Sequence, residues 1–343
     1  MADGRGRRWG AWLIGILVVL VILWVGYWLA ARYVANQALA RINSGPIGTT
    51  DVACTTPAVG GSPFILDVRC ERVTVATAAE SLVASLGGVW ASAPLYWPMS
   101  VSARIDAPLV VNVPATGLAL TTSWATGTAA ATANLGGLTG IQLDFAGFEI
   151  DSGGTATGVP LTRATADQAH GGIAPAGGGA YTISATATGV SLTRQDGSTL
   201  PDLEVSAEVT LLDVGGSLGT DPADTITAWL RDGGTATIDH VRIAGEGAVI
   251  KSDGKMTIGP DGYLSGAVLL RWNDMEKVAD LIEAIRPGSR ERAATPLRMI
   301  NAFALPVDTE EGRFRQASLA LVNGAVVYNM IPLPIDPIPP LRF

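Results

Sequence analysis

Two cysteines and two histidines are all that this chain of 343 residues offers as soft or switchable metal ligands. Cys54, Cys70, His170 and His240 share no ligand spacing, so neither a metal nor another cofactor is expected. Aromatic residues make up only 6% of the chain and charged residues 16%. No glycine-rich loop precedes a Lys-Ser/Thr pair, and no two carboxylates stand apart from turn aspartates. What the chain has instead is 41 glycines among Ala, Thr and Val, a mixture that suits many strands joined by tight turns. With 48% hydrophobic residues there is material for a large core, and global disorder is excluded.

The formal charge of −8 is unevenly placed. Arg5, Arg7, Arg8, Arg32 and Arg41 against Asp3 give residues 1–41 a net of +4, which leaves −12 for the rest. A body that acidic repels phosphate backbones, so no nucleic-acid partner is expected.

Charge is absent altogether from Trp9 to Ala31. These 23 residues, at 1.5 Å per residue, make a helix of roughly 34 Å, enough to cross a hydrocarbon layer of about 30 Å. Trp9 and Trp12 mark one end; Trp24, Tyr27, Trp28 and Tyr33 mark the other, as an interfacial aromatic belt would. Arg5, Arg7 and Arg8 directly before the run keep the short N-terminus in the cytoplasm by the positive-inside rule. The run exceeds the apolar region of a cleaved signal, and the first clean Ala-x-Ala, Ala38 to Ala40, lies well beyond it. A retained single-pass anchor is therefore expected. The reading divides the chain into a cytoplasmic N-terminus (1–8), a transmembrane helix (9–31), a juxtamembrane helix and linker (32–45) and a periplasmic β-rich domain (46–343).

Between Cys54 and Cys70 run Pro57, Gly60, Gly61 and Pro63, then alternating Phe64, Leu66 and Val68. That predicts a turn followed by a strand, with the two cysteines facing each other across a strand pair and joined by a disulfide in an oxidising compartment. Further strands are predicted at 64–77, 111–126, 141–150, 203–213, 235–245 and 262–272, most of them alternating apolar with polar residues. Helices are predicted at 76–86, at 222–231 behind an Asp221 cap with Pro222 first, and at 274–286 capped by Asn273. The last carries an apolar stripe of Met275, Val278, Ile282 and Ile285 and ends at Pro287-Gly288. A short helix starting at Thr295-Pro296 would turn Leu297, Ile300 and Phe303 inward. TATGVPLTR (155–163) returns as TATGVSLTR (186–194), identical at eight of nine positions after a shift of 31, which fits a sheet extended by repetition.

The run Gly215-Gly216-Ser217-Leu218-Gly219 matches the G-x-S-x-G pattern of nucleophile elbows. Such an elbow belongs to a parallel sheet with alternating βα units, which this pattern lacks, so Ser217 is read as a turn residue. His170, beside the glycine-rich 171–180, is read as a loop residue. Trp90, Tyr96 and Trp97 are read as core, with a lipid-facing rim as the alternative. The tail IPLPIDPIPPLRF (331–343) is too rich in proline for a ladder strand and is expected to lie extended against a sheet edge.

The segments GYWLAARYV, GGSPFILDVRCERVTV, APLYWPMSVSARIDAPLVV, DGGTATIDHVRIAGEGAVIKSDGKMTIGPDGYLSGAVLLRW and VNGAVVYNMIPLPIDPIPPL together resemble domain-of-unknown-function family 2125, found mainly in alphaproteobacteria. The family's Gly-aromatic-Pro-Phe turn stands here as Gly61-Ser62-Pro63-Phe64. The layout is also similar to AsmA-like envelope proteins, which implies a lipid-handling groove. The expected fold is mainly β with a few helices (α+β): an N-terminal transmembrane helix, then an extended, curved, largely antiparallel sheet partly covered by helices. The expected role is non-enzymatic, a protein of the bacterial inner membrane with lipid as its cargo. The rivals are a scaffold binding envelope proteins through sheet edges and, third, a serine hydrolase at Ser217.

Overall fold

The chain was described from a computed structural model, which places residues 5–44, 50–77, 82–97, 99–114, 118–134, 137–152, 161–214, 222–285, 288–333 and 337–340. It opens with helix α1 (Arg5–Ile42), one continuous rod through the expected span and its juxtamembrane extension. Ten strands follow: β1 (Thr50–Thr55), β2 (Ala58–Gly60), β3 (Ile65–Cys70), β4 (Arg72–Thr77), β5 (Val83–Leu86), β6 (Val89–Pro94), β7 (Ser100–Ile105), β8 (Leu109–Val113), β9 (Leu118–Ser123) and β10 (Thr126–Asn134). Then come the long strands β11 (Gly137–Ser152), β12 (Leu161–Gly177), β13 (Ala180–Arg194) and β14 (Thr199–Leu212). After α2 (Pro222–Arg231) the chain makes β15 (Thr235–Gly245), β16 (Ala248–Ile258) and β17 (Leu264–Trp272). Helices α3 (Met275–Ile285) and α4 (Ser289–Phe303) precede β18 (Leu305–Thr309), β19 (Gly312–Val322), β20 (Ala325–Tyr328) and β21 (Ile331–Pro332).

The 21 strands form one hydrogen-bonded sheet. Every strand pairing among the described residues is antiparallel. Its spine runs β2, β3, β6, β7, β10, β11, β12, β13, β14, β15, β16, β17, β19 and β20. A second branch, β1, β4, β5, β8 and β9, joins at the Glu149–Ser152 end of β11. Register shifts recur from β12 to β16, and such bulges bend strands and sharpen their twist, giving an open, curved sheet.

The disulfide between Cys54 and Cys70 is formed, with Cα atoms 5.5 Å apart. The cysteines do not sit across a strand pair, however. Cys54 on β1 pairs with Val73 of β4, and Cys70 on β3 pairs with Val89 of β6, so the bond staples the two branches together. The predicted helix 76–86 is also absent where described: Thr77 ends β4 and Val83 begins β5, whose Val-Ala-Ser-Leu pairs with both β4 and β8. Its β-branched and small residues fit a ladder better than an isolated helical turn.

The main core lies between the C-terminal half of the sheet and α3 and α4. Trp272, Leu281 and Val278 are buried there with Leu203, Ile300, Ala317 and Tyr328. Helix α3 has the predicted bounds within a residue or two, but its cap is Asp274, whose Oδ1 accepts the N–H groups of Glu276 and Lys277. Asn273 instead stitches the sheet: its Oδ1 accepts the Val249 N–H at 2.9 Å and its Nδ2 donates to the Gly247 carbonyl at 2.8 Å. Helix α4 starts six residues before Thr295, so Pro296 lies inside it. The Glu283 carboxylate explains the early start. It accepts the N–H groups of Gly288 at 2.8 Å and Arg290 at 2.7 Å, capping α4 from the end of α3. Ile300 is buried as expected, but Phe303 faces outward.

The echoed LTR triplets meet at the open end of the β12–β13 hairpin, Leu161 opposite Arg194 and Arg163 opposite Thr193. They run antiparallel, so they are not a translational repeat; residues 155–160 lie outside the described residues. In the tail, β21 pairs with β20, Leu333 is buried, and the Ile338 N–H donates to the Gly324 carbonyl.

Candidate functional site

The long strands give the sheet two faces of opposite character, because residues paired across a ladder share a face and alternate along each strand. One unbroken line of partners runs Val101, Ala131, Ile141, Ile173, Ile183, Val209, Ile238, Gly254, Val268 and Leu319 across ten strands. At about 4.8 Å per strand its nine spacings cover roughly 43 Å. Two residues along, Ala91, Ala103, Ala129, Leu143, Gly171, Ala185 and Ala207 form a line of mostly small residues. Beyond it, Phe145, Ala169, Ala187, Val205, Ile243 and Ile250 lead to Trp272. Small residues on the middle line thus leave a shallow apolar trough, bounded by the Ile- and Val-rich first line and, towards Phe145 and Trp272, by the larger residues of the third.

Helices cover only part of it. Trp272, under α3 and α4, is 1% exposed. Trp229 of α2 covers the other strand ends beside Tyr181 and Ile258, its indole N–H donating to the Leu212 carbonyl at 2.7 Å. Between and beyond these helices the same face opens: Ile183 is 38% exposed and Val101 36%. Trp124, Phe145 and Phe148 form an aromatic cluster near the branch point.

The opposite face is polar. Its central line runs Arg104, Thr128, Asp144, His170, Thr186, Ser206, Arg242 and Lys251. His170 is therefore a strand residue rather than a loop residue, its Nδ1 2.6 Å from Asp144 Oδ1. Of the glycines that suggested a loop, Gly172 is there for space: a Cβ on it would stand 2.9 Å from Ser184 Oγ. His240 Nδ1 lies 3.8 Å from Glu208 Oε2. Both histidine pairs are substantially exposed, and ion pairs in that setting contribute little. Two shallow grooves of about 460 and 790 Å³ lie on this face, the first along Gln142, His170 and Ser184, the second along Trp90, Ser102 and Arg104. Glu311 is held below the ordinary carboxylate value by its hydrogen bond from Lys251, with Arg242 adding to it. Ser217 lies outside the described residues.

A third surface sits where the sheet meets α1. Asn43 clamps Cys54, accepting its N–H at 2.7 Å and donating to its carbonyl at 3.1 Å. Further up the helix, the Tyr27 hydroxyl donates to the Leu95 carbonyl at 3.2 Å, and the Trp24 and Phe64 rings stand 5.7 Å apart. Around these contacts Tyr96 and Trp97 are 70% and 64% exposed, and Trp90 is exposed too. The expectation that they form core fails: among the described residues of the β6–β7 turn Leu95 turns inward while Tyr96 and Trp97 do not, and Trp90 of β6 lies on the polar face opposite Arg104. Phe64, the first of the alternating Phe64, Leu66 and Val68, is 59% exposed at the neighbouring tip. The lack of charge from Gly60 to Leu66 gave no sign that this turn leaves the core.

Ile14–Ile42 is long and apolar enough to cross a membrane, with a stretch of mean hydropathy 2.5 and none of that stretch buried in the protein. It is a candidate membrane anchor. A family model described as an uncharacterized protein conserved in bacteria (DUF2125) matches residues 28–339. No curated protein and no solved structure matches the chain.

Proposed function

Because the chain belongs to DUF2125, a family whose description assigns no activity, we propose its function from its own surfaces: a non-enzymatic, membrane-anchored protein whose apolar sheet face binds the acyl chains of lipids. In this reading α1 sits in a bacterial inner membrane, with Arg5, Arg7 and Arg8 on the cytoplasmic side and the sheet in the periplasm. The Cys54–Cys70 disulfide suits an oxidising compartment.

One observation carries the proposal: the same apolar face that drops to 1% exposure at Trp272 stays 38% exposed at Ile183. Large contiguous apolar surface left open to water marks a binding surface. Its shape suits a chain rather than a compact ligand, since the floor is small side chains and the walls offer no polar partner. Lipid is the occupant this reading favours, because a membrane-spanning α1 would keep the trough beside a bilayer.

The test uses the full-length chain in its native host, with a photoreactive phenylalanine analogue in place of Ile183 or, on the polar face, of Thr186. Ile183 lies five strand spacings from β6, roughly 24 Å, which separates trough contacts from bilayer contacts near α1. Irradiation should give a phospholipid adduct at position 183 and none at 186. Equal labelling at both, or at neither, would overturn the proposal.

A further inference from the structure

The third surface has its own logic. Phe64 and Ile65 stand at the tip between β2 and β3; Leu95, Tyr96 and Trp97 stand at the tip between β6 and β7. The Leu95 N–H donates to the Phe64 carbonyl at 2.9 Å, which makes the two tips one patch. The chain carries no charge from Gly60 to Leu66 or from Val89 to Ala103. Four large side chains of the patch, Phe64, Ile65, Tyr96 and Trp97, nevertheless face outward.

The height of the patch is fixed by α1. Trp24 touches Phe64 and Tyr27 holds Leu95. Those residues lie seven and four positions before Ala31, the last of the uncharged run. At 1.5 Å per residue they sit roughly 10 and 6 Å inside the end of that run. An uncharged patch rich in aromatic rings, held at that level, has no water-facing reason to expose its rings. Burial about 5–10 Å into the headgroup boundary is the depth interfacial segments adopt, and Trp and Tyr are the residues that favour it.

We infer that the paired tips, Phe64–Ile65 and Tyr96–Trp97, insert into the interface of the bilayer that α1 spans, as a second membrane contact. This rests on the reading of α1 as an anchor. The consequence is orientation: with α1 and the tips both fixed in lipid, the sheet stands at a set tilt rather than swinging on a tether. A partner protein or a second copy could also bury such a patch, but neither would require it to lie level with the apolar part of α1.

The experiment uses the full-length chain in phosphatidylethanolamine–phosphatidylglycerol vesicles. The native cysteines are bonded to each other, so single cysteines from Trp97→Cys, Phe64→Cys, Val19→Cys and Glu310→Cys can each carry a nitroxide. Collisions with oxygen, which partitions into lipid, are compared with those of a neutral nickel complex, which stays in water. Val19 reports the middle of the apolar run, and exposed Glu310 is the aqueous reference. Labels at 97 and 64 should give about a tenfold lower nickel collision rate than the label at 310, with oxygen collisions retained, since polar solutes are excluded from hydrocarbon. Nickel collisions at 97 and 64 equal to those at 310 would overturn the inference. Low collision with both reagents would overturn it in favour of a protein partner. Failure at 19 as well would locate the error in the anchor; success at 19 with failure at 64 and 97 would locate it in the tips.

Discussion

Replacing Leu281 and Ile183 by alanine, one at a time, tests whether the apolar face is covered at one end and open in the middle. Each change deletes three side-chain carbons, worth about 2.4 kcal/mol if fully buried, at about 0.8 kcal/mol per methylene. Leu281 is 2% exposed between α3 and the sheet, so its full transfer term applies. A cavity closed under two helices adds to it, for a total of about 3–4 kcal/mol. Ile183, with 38% of its surface in water, should lose only some six-tenths of the transfer term. Water fills the space it leaves, and the weaker strand preference of alanine adds a few tenths, so the loss is about 1.5–2 kcal/mol. Guanidinium unfolding of the delipidated full chain in detergent, followed by tryptophan fluorescence, measures both at equal slope. The same loss at both positions would refute the reasoning, for it would mean that something in the protein itself seals the trough. Under the proposed function, added phospholipid should raise the midpoint of the parent chain and raise it less for Ile183→Ala.

The paired substitutions Cys54→Ser and Cys70→Ser should cost about 3 kcal/mol by loop-closure entropy, read as a lower unfolding midpoint that matches the parent under reductant. Asp274→Ala should remove the α3 cap and cost about 1 kcal/mol, with α3 and the α4 it abuts exchanging amide protons faster than the distant strands β12 and β13. Glu283 is held below its ordinary value of 4.5 by the N–H groups of Gly288 and then Arg290. Its ionised form is therefore the one that stabilises the fold: the contribution is complete above that ordinary value and fades as pH falls through the lower folded value. Glu283→Gln should accordingly unfold less steeply with acid than the parent across that window. An unchanged acid limb would show that the α4 cap is not electrostatic.

Period-two alternation read the sheet well wherever one face is apolar and the other polar: β15 has the predicted bounds, and 141–150 falls wholly within β11. Helix α2 begins and ends where its proline start and amphipathic pattern place it. The misses share a physical cause, in that the deciding partner is remote in sequence. Strand β12 reads as loop because Gly171 and Gly172 lack side chains, and the need for that at Gly172 appears only when Ser184 lies alongside. Helix α4 reads as starting at Thr295-Pro296 because its true cap, Glu283, belongs to another helix. The disulfide was legible, whereas the strands it joins were not, since β1 skips its nearest neighbours to pair with β4. The two faces followed from alternation, but their unequal covering depends on where α2, α3 and α4 fold back. The outward turn of Phe64, Tyr96 and Trp97 depends on the packing of a helix that composition marks only as apolar.

The lengths of the strands also bear on self-association. The longest, β11 to β14 with 14 to 17 residues, are flanked on both sides. The strands at the margins are short: β1 has six residues, β2 three, β18 five and β21 two. Pro332 removes a backbone donor from β21, the last margin. A sheet so terminated offers neighbouring molecules almost no template for lateral growth. Stacks of this protein through continuous strand addition are therefore disfavoured, and among the described residues a docked peptide would find a marginal ladder of six residues at most, on β1. Under the proposed function, crowding on a membrane surface would leave the apolar trough exposed without polymerisation along the sheet edges.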